Sequence, residues 1–187
     1  MRNAFSTGER IYLRPLELED LEVLQRVITS EEIRPYLGVY WPLNQKAERE
    51  WLEGLYRTRE TFPFGIALRE EDRLIGSCEL RLGPAAHRTA DLGIAIGEPA
   101  SLGKGYGTEA IGLLLEYGFG SLNLHRVELS VYANNPRAIR CYEKCGFRRE
   151  GAKREARWWN GRFWDVFQYA VLAREWQSKT PSRGAAK

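Results

Sequence analysis

The sequence predicts an α+β domain built on a central mixed, mostly antiparallel sheet, and three stretches carry that expectation. Phe64–Arg69 and Leu74–Leu82 read as strands around the charged turn Arg69–Asp72, a meander. From Ala90 to Val131 the order is strand, glycine-rich turn, helix, strand, so the two strands are expected as parallel neighbours in a right-handed crossover. Arg148–Trp159 and Arg162–Leu172 read as a hairpin closed by Asn160-Gly161, a two-residue turn of type I′.

The remaining elements follow in order. Residues 1–9 read as a loose leader, and Arg10–Leu16 alternates as a first strand ended by Pro15. Leu18–Ile28 has acids early and apolar residues at Leu21, Leu24, Val27 and Ile28, the pattern of an amphipathic helix with a favourable N-terminal charge. An irregular stretch punctuated by Pro35, Gly38 and Pro42 carries Tyr36, Tyr40 and Trp41. A helix from Gln45 to about Thr58 follows. In the strand Ala90–Ile96, Leu92, Ile94 and Ile96 form a core face, while Asp91, Gly93 and Ala95 leave the other face nearly bare. Gly103, Gly105 and Gly107 then alternate with Lys104 and Tyr106 and open a helix, whose first N–H groups and positive dipole end suit a phosphate. A tight strand-to-helix turn would use the same glycines. Further on, Asn135 is a good N-cap, Pro136 an apt first helical residue and Gly146 a helix terminator. Ala138, Cys141, Tyr142 and Cys145 share one face of that helix. The hairpin aromatics, among them Trp158, Trp159, Phe163 and Trp164, read as sheet packing. Residues 1–176 are expected as one domain and 177–187 as a disordered tail.

Composition narrows the function classes. With 187 residues, 43% hydrophobic and 28% charged, the chain has the make-up of one ordinary domain. A net charge of +3 is too small to indicate nucleic-acid binding. The local cluster Lys144, Arg148, Arg149, Lys153 and Arg154 is either solvated surface or a landing site for a phosphate. No apolar run approaches the ~20 residues of a membrane span, and the N-terminus lacks a signal-type apolar region, so a cytoplasmic location without a membrane partner is expected. Cys78, Cys141 and Cys145 match no zinc spacing and read as reduced core residues, and no metal is expected.

The glycine turn is neither a nucleotide P-loop nor a dinucleotide fingerprint, since its spacing fits neither. It resembles the acyl-CoA pyrophosphate loop of the GCN5-related N-acetyltransferases (GNAT), [Q/R]-x-x-G-x-[G/A], with Gly105 and Gly107 at the glycine positions and Leu102 where Gln or Arg is usual. Asn135, Ala138, Tyr142, Glu143, Lys144, Gly146 and Phe147 resemble the superfamily's second block, and the opening x-L-R-P-L resembles its Rim-like branch. The resemblance implies a three-layer fold with helices on both sheet faces and a splayed parallel strand pair. It implies acetyl-CoA as cosubstrate, held by Ile94, Ala95, Ile96, Leu102, Gly103, Lys104, Gly105, Tyr106, Gly107, Thr108, Asn135, Ala138 and Tyr142. Tyr142 would be the general acid; Asp91, Glu79, Glu128 or an ordered water would serve as base. Tyr36, Tyr40 and Trp41 would grip the acceptor, or form a satellite core cluster. The Rim-like outline implies a protein N-terminus as acceptor. A polyamine or aminoglycoside acetyltransferase and a non-catalytic CoA-binding sensor are the alternatives, and relatives that pair suggest a homodimer through the aromatic hairpin.

Overall fold

The computed structural model describes residues 1–57 and 59–177. Eight strands form one sheet: β1 (Ser6–Thr7), β2 (Ile11–Arg14), β3 (Thr61–Leu68), β4 (Leu74–Leu82), β5 (Thr89–Ile96), β6 (Arg126–Tyr132), β7 (Arg148–Trp159) and β8 (Arg162–Leu172). Their order is β1-β2-β3-β4-β5-β6-β8-β7, and among the described residues β5–β6 is the one parallel pair in it. The helices are α1 (Leu21–Thr29), α2 (Gln45–Gly54), α3 (Tyr106–Glu116), α4 (Pro136–Lys144) and α5 (Ala173–Gln177).

Strand alternation divides the apolar residues between two layers. The larger core joins Ile75, Leu80, Leu92, Val127 and Leu129 to Ile111, Leu114 and Leu115 of α3 and Tyr142 of α4. A smaller one joins Leu74 to Leu21, Leu24, Leu52 and Leu55. Leu74 and Ile75 are consecutive and so point to opposite faces. Helices therefore cover both faces of the sheet, as the resemblance implies.

The N-terminus is not loose. Ser6 and Thr7 pair with Leu13 and Tyr12, and the Phe5 ring lies 4.9 Å from that of Phe64 and 5.0 Å from that of Tyr117. A two-residue strand has no periodicity to read, so its partners had to reveal it. Helix α2 stops at Gly54, short of the expected end, and Thr58 lies outside the described residues. Its start is set by Asn44, whose side chain accepts the Ala47 N–H at 2.9 Å. Of the expected tail, Gln177 belongs to α5 and 178–187 lie outside the described residues.

The hairpin turn is as expected, with Asn160 at φ 49° and Gly161 at φ 78°, the two positive values a type I′ turn requires. At the other end of the sheet, Arg14 donates two hydrogen bonds to Asp20, each 2.7 Å, and both side chains are under a tenth exposed. This bidentate pair ties β2 to the start of α1. Removing one partner would strand a buried charge, at a cost of roughly 3–5 kcal/mol. Asp20→Ala should lower unfolding stability by about that much in denaturant titration, and by clearly more than Glu50→Ala on exposed α2 surface.

Candidate active site

The β5–β6 ladder is short. It pairs Thr89, Ala90 and Asp91 with Arg126, Val127 and Glu128, and there it stops. Both strands continue, β5 paired with β4 through Ile96 and β6 paired with β8 through Tyr132. A wedge therefore opens between them. Strand alternation says which backbone groups face it. The Gly97 N–H bonds the Ile75 carbonyl at 2.9 Å, so Ala95 also turns its backbone toward β4, leaving Ile94 and Ile96 to face the wedge. From the other side the Ala133 N–H bonds the Asp165 carbonyl at 3.0 Å, so Ser130 and Tyr132 face the wedge.

The wedge is held by close packing. A Cβ on Gly76 would overlap the Ala95 carbonyl oxygen, and one on Gly97 would overlap Val27 of α1. These two glycines let β4 and α1 press on the end of β5. A cavity of about 530 Å³ fills the wedge and runs out past the start of α3.

That start is bare. Gly105 is the N-cap in left-handed conformation (φ 87°) and offers no side chain to the first turn. The N–H of Glu109 bonds the Gly105 carbonyl at 3.1 Å, so the N–H groups of Gly105, Tyr106, Gly107 and Thr108 precede the first intrahelical bond, and all four residues line the cavity. The loop before them is braced from outside. Glu98 accepts from Arg73 and from Ser101 Oγ (2.5 Å), and these hydrogen bonds hold the Glu98 carboxyl below its usual range. Arg10 donates to the Lys104 carbonyl at 2.8 Å and pairs with Glu109 of α3 at 3.2 Å.

Across the wedge, α4 begins where the sequence signals say. Asn135 accepts the Ala138 N–H at 3.1 Å, Pro136 is the first helical residue, and Gly146 ends the helix at φ 95°. This brings Tyr142, 8% exposed, to the cavity wall. Burial, and then the neighbouring thiols of Cys141 and Cys145, push the Tyr142 phenol well above its ordinary range. Cys141 differs from the core residue expected. Its thiol lines the cavity 3.4 Å from Thr108 Oγ1, and hydrogen bonding by Cys145, helped by Thr108 and the Lys144 charge, outweighs burial and brings it down to about 7. Cys78 is buried, and burial pushes its thiol up.

Of the residues singled out in the sequence, the cavity gathers Ile94, Ala95, Ile96, Leu102, Gly103, Gly105, Tyr106, Gly107, Thr108, Ala138, Asn135, Tyr142 and Tyr36. Lys104 is not in its wall. Neither are the carboxylates considered as base: Asp91 is exposed, Glu79 pairs with Arg81 at 3.4 Å, and Glu128 pairs with Arg126 at 2.8 Å. Asp91 and Glu128 form the last pair of the ladder before the wedge opens, and Glu79 lies on β4 opposite Gly93. Tyr40 and Trp41 line a second cavity, of about 420 Å³, with Arg34 and Trp159. In the basic cluster, Lys144 reaches the first cavity, whereas Arg148 pairs with Glu175 and Arg149 stacks on Phe167. The sequence reading passed over Arg137 and Arg140, which also line the cavity. Their spacing from Lys144 on α4 was the available signal.

A mixed sheet with one splayed parallel pair, a bare glycine-capped helix start and a tyrosine-bearing helix across the gap together define an acyl-CoA transferase fold, and the acetyltransferase (GNAT) domain family matches residues 10–148; the chain belongs to that family. It is 32% identical over 176 residues to the spermidine N(1)-acetyltransferase of Vibrio cholerae, covering 92% of this chain and 99% of that one. It is 31% identical to the uncharacterized N-acetyltransferase p20 of Bacillus licheniformis, over 90% of this chain and 96% of the relative. The crystal structure of the Vibrio cholerae spermidine N-acetyltransferase in complex with CoA and spermine superposes with a TM-score of 0.83 at 30% identity, over 91% of this chain and 99% of that chain. These relatives correct the Rim-like reading of the N-terminal strand: the spermidine N(1)-acetyltransferases of Vibrio cholerae and Escherichia coli are named for a polyamine acceptor, not for a ribosomal protein.

The two thiol environments are separable by alkylation. Iodoacetamide should label Cys141 in the folded protein with a half-maximal rate near pH 7, while Cys78 reacts only after denaturation, as peptide mass mapping would show.

Proposed function

We propose that this protein transfers the acetyl group of acetyl-CoA to the primary amine of a small molecule, with Tyr142 as general acid. The observation that carries the proposal is the wedge: two strands fully paired on their outer sides and unpaired toward each other, with a bare helix start at its mouth. The residues present fit a CoA ester. The N–H groups of Gly105, Tyr106, Gly107 and Thr108 suit its pyrophosphate, and Arg137, Arg140 and Lys144 bring charge to the same rim. Leu102 stands where a polar side chain is usual, and these α4 cations offset that loss. The backbone groups of Ile94, Ile96, Ser130 and Tyr132 suit the amides of an extended arm. The relatives that act on spermidine support a small acceptor over a protein N-terminus. A cytoplasmic location goes with this reading.

Bound acetyl-CoA supplies an activated thioester. The chain supplies the rest. The wedge-facing N–H groups of β5 hold and polarise the carbonyl oxygen. The amine forms its N–C bond as the C–S bond breaks, and Tyr142 donates its proton to the departing thiolate. Because no Asp or Glu is among the residues lining the cavity, the ammonium proton leaves through water rather than to a carboxylate in the wall.

Tyr142→Phe should lower kcat at least tenfold, on the order of a general-acid contribution, while acetyl-CoA still raises the melting temperature. Thiol release measures the first and thermal shift the second; an unchanged kcat removes Tyr142 from the mechanism. Since the folded environment raises the Tyr142 pKa, its proton is present at all pH values below the ordinary tyrosine range and is lost only above it. The pH–rate profile should therefore show no alkaline fall below about pH 10.

A further inference from the structure

Strand β7 runs twelve residues along the edge of the sheet, and the one it buries is an arginine. Arg157 is 3% exposed. A bulge puts it there. The register against β8 slips between Lys153 and Arg157, Glu155 adopts φ 50°, and its N–H donates to the Asp165 carboxylate at 2.9 Å. Bulges re-aim the side chains that follow them. Here the guanidinium ends 3.4 Å from the Tyr132 ring centroid and 5.3 Å from that of Trp159.

Arg157 is poorly satisfied in that position. Nη2 donates to the Pro35 carbonyl, but Nε and Nη1 are buried with no hydrogen-bond partner, and no carboxylate pairs with it among the described residues. Burying a charge without an anion is unfavourable, so such a group calls for a ligand. Its two aromatic neighbours are cavity walls: Tyr132 lines the wedge cavity and Trp159 the second one. The two cavities share the loop around Ile33–Pro42 as a wall.

The charged residues that line the two cavities are all cations. Among the described residues no Asp or Glu lines either cavity, and Arg34 adds a cation to the outer one. Of the nearby acids, Glu32 pairs with Arg137 at 3.3 Å, Glu50 pairs with Lys46 at 3.8 Å, and Glu48 is buried in α2. A polyamine in this place would meet like charge with little water to screen it. Arg157 is itself in neither cavity wall, and a carboxylate that reached it past Tyr132 or Trp159 would meet an unpartnered donor and gain a charge-assisted hydrogen bond.

We propose that the acceptor is a small primary amine that carries a carboxylate and an apolar body, its carboxylate received by Arg157 and its body by Tyr40, Trp41 and Trp159. This rests on the acetyl-transfer reading above and names the substrate class of the same site. The cationic surroundings also favour the neutral, nucleophilic form of the bound amine.

Matched acceptors test it. Thiol release at saturating acetyl-CoA would be followed with L-phenylalanine against phenethylamine, L-leucine against isoamylamine, and spermidine. The carboxylated member of each pair should show kcat/KM at least tenfold above its partner and above spermidine. Arg157→Met should raise KM for the carboxylated amine at least tenfold while keeping the acetyl-CoA thermal shift. Should that variant fail to fold, the wild-type comparison still decides. Equal rates within a pair, spermidine as the best acceptor, or an acetyl-CoA thermal shift without turnover of any of these amines would each overturn the carboxylate assignment. Absence of both thiol release and thermal shift would overturn the transferase reading beneath it.

Discussion

A backbone N–H or C=O taken from water without a partner costs about 1–3 kcal/mol, and the wedge between β5 and β6 presents a row of such groups at once. It is tolerated because neither strand depends on the other. Through Ile96 β5 is held by β4, and through Tyr132 β6 is held by β8. Gly76 and Gly97 give β5 its close seat against β4 and α1. The wedge thus stays open as a property of the sheet, and an extended ligand can complete the pairing that the strands leave undone.

Two helix starts then place chemistry on either side of that opening. Gly105 provides a bare first turn, and Arg10 and Glu109 tie it to β2 so that its N–H groups keep one direction. The Asn135-Pro136 start and the Gly146 stop fix the rotation of α4, which decides that Tyr142 and Cys141 face the wedge and Glu143 does not. Thr108 and Cys141 touch across the gap, 3.4 Å apart, and join the two helices into one frame.

Local signals carried much of this into the sequence. The bounds of β4, the turn at Asn160-Gly161 and the whole of α4 were legible because alternation, turn chemistry and capping act within a few residues. So was the grouping of Tyr142 with the glycine turn, through a family resemblance. Features that depend on a distant partner were not legible. Strand β1 exists because Leu13 and Tyr12 lie beside it. The carboxylates Asp91 and Glu128 sit on the right strands, but where the ladder is still paired, and nothing in the residues marks the point at which it stops; Glu79 lies one strand away, on β4. Arg157 was hidden for the same reason, since its inward turn comes from a register slip against β8.

The slips in β7 also bear on how copies of this chain meet. An edge strand offers unpaired backbone groups to any other strand, which is the usual route to sheet-to-sheet aggregation. At one edge of this sheet the protection is brevity, a strand of two residues. At the other, twelve residues lie open, yet the ladder slips twice, at Arg149/Gly151 and at Lys153/Arg157, and charged side chains crowd the stretch between. A second strand arriving there would find neither an even row of donors and acceptors nor an uncharged surface. The kink that draws one arginine inward thereby also keeps the open edge of the sheet from becoming a template.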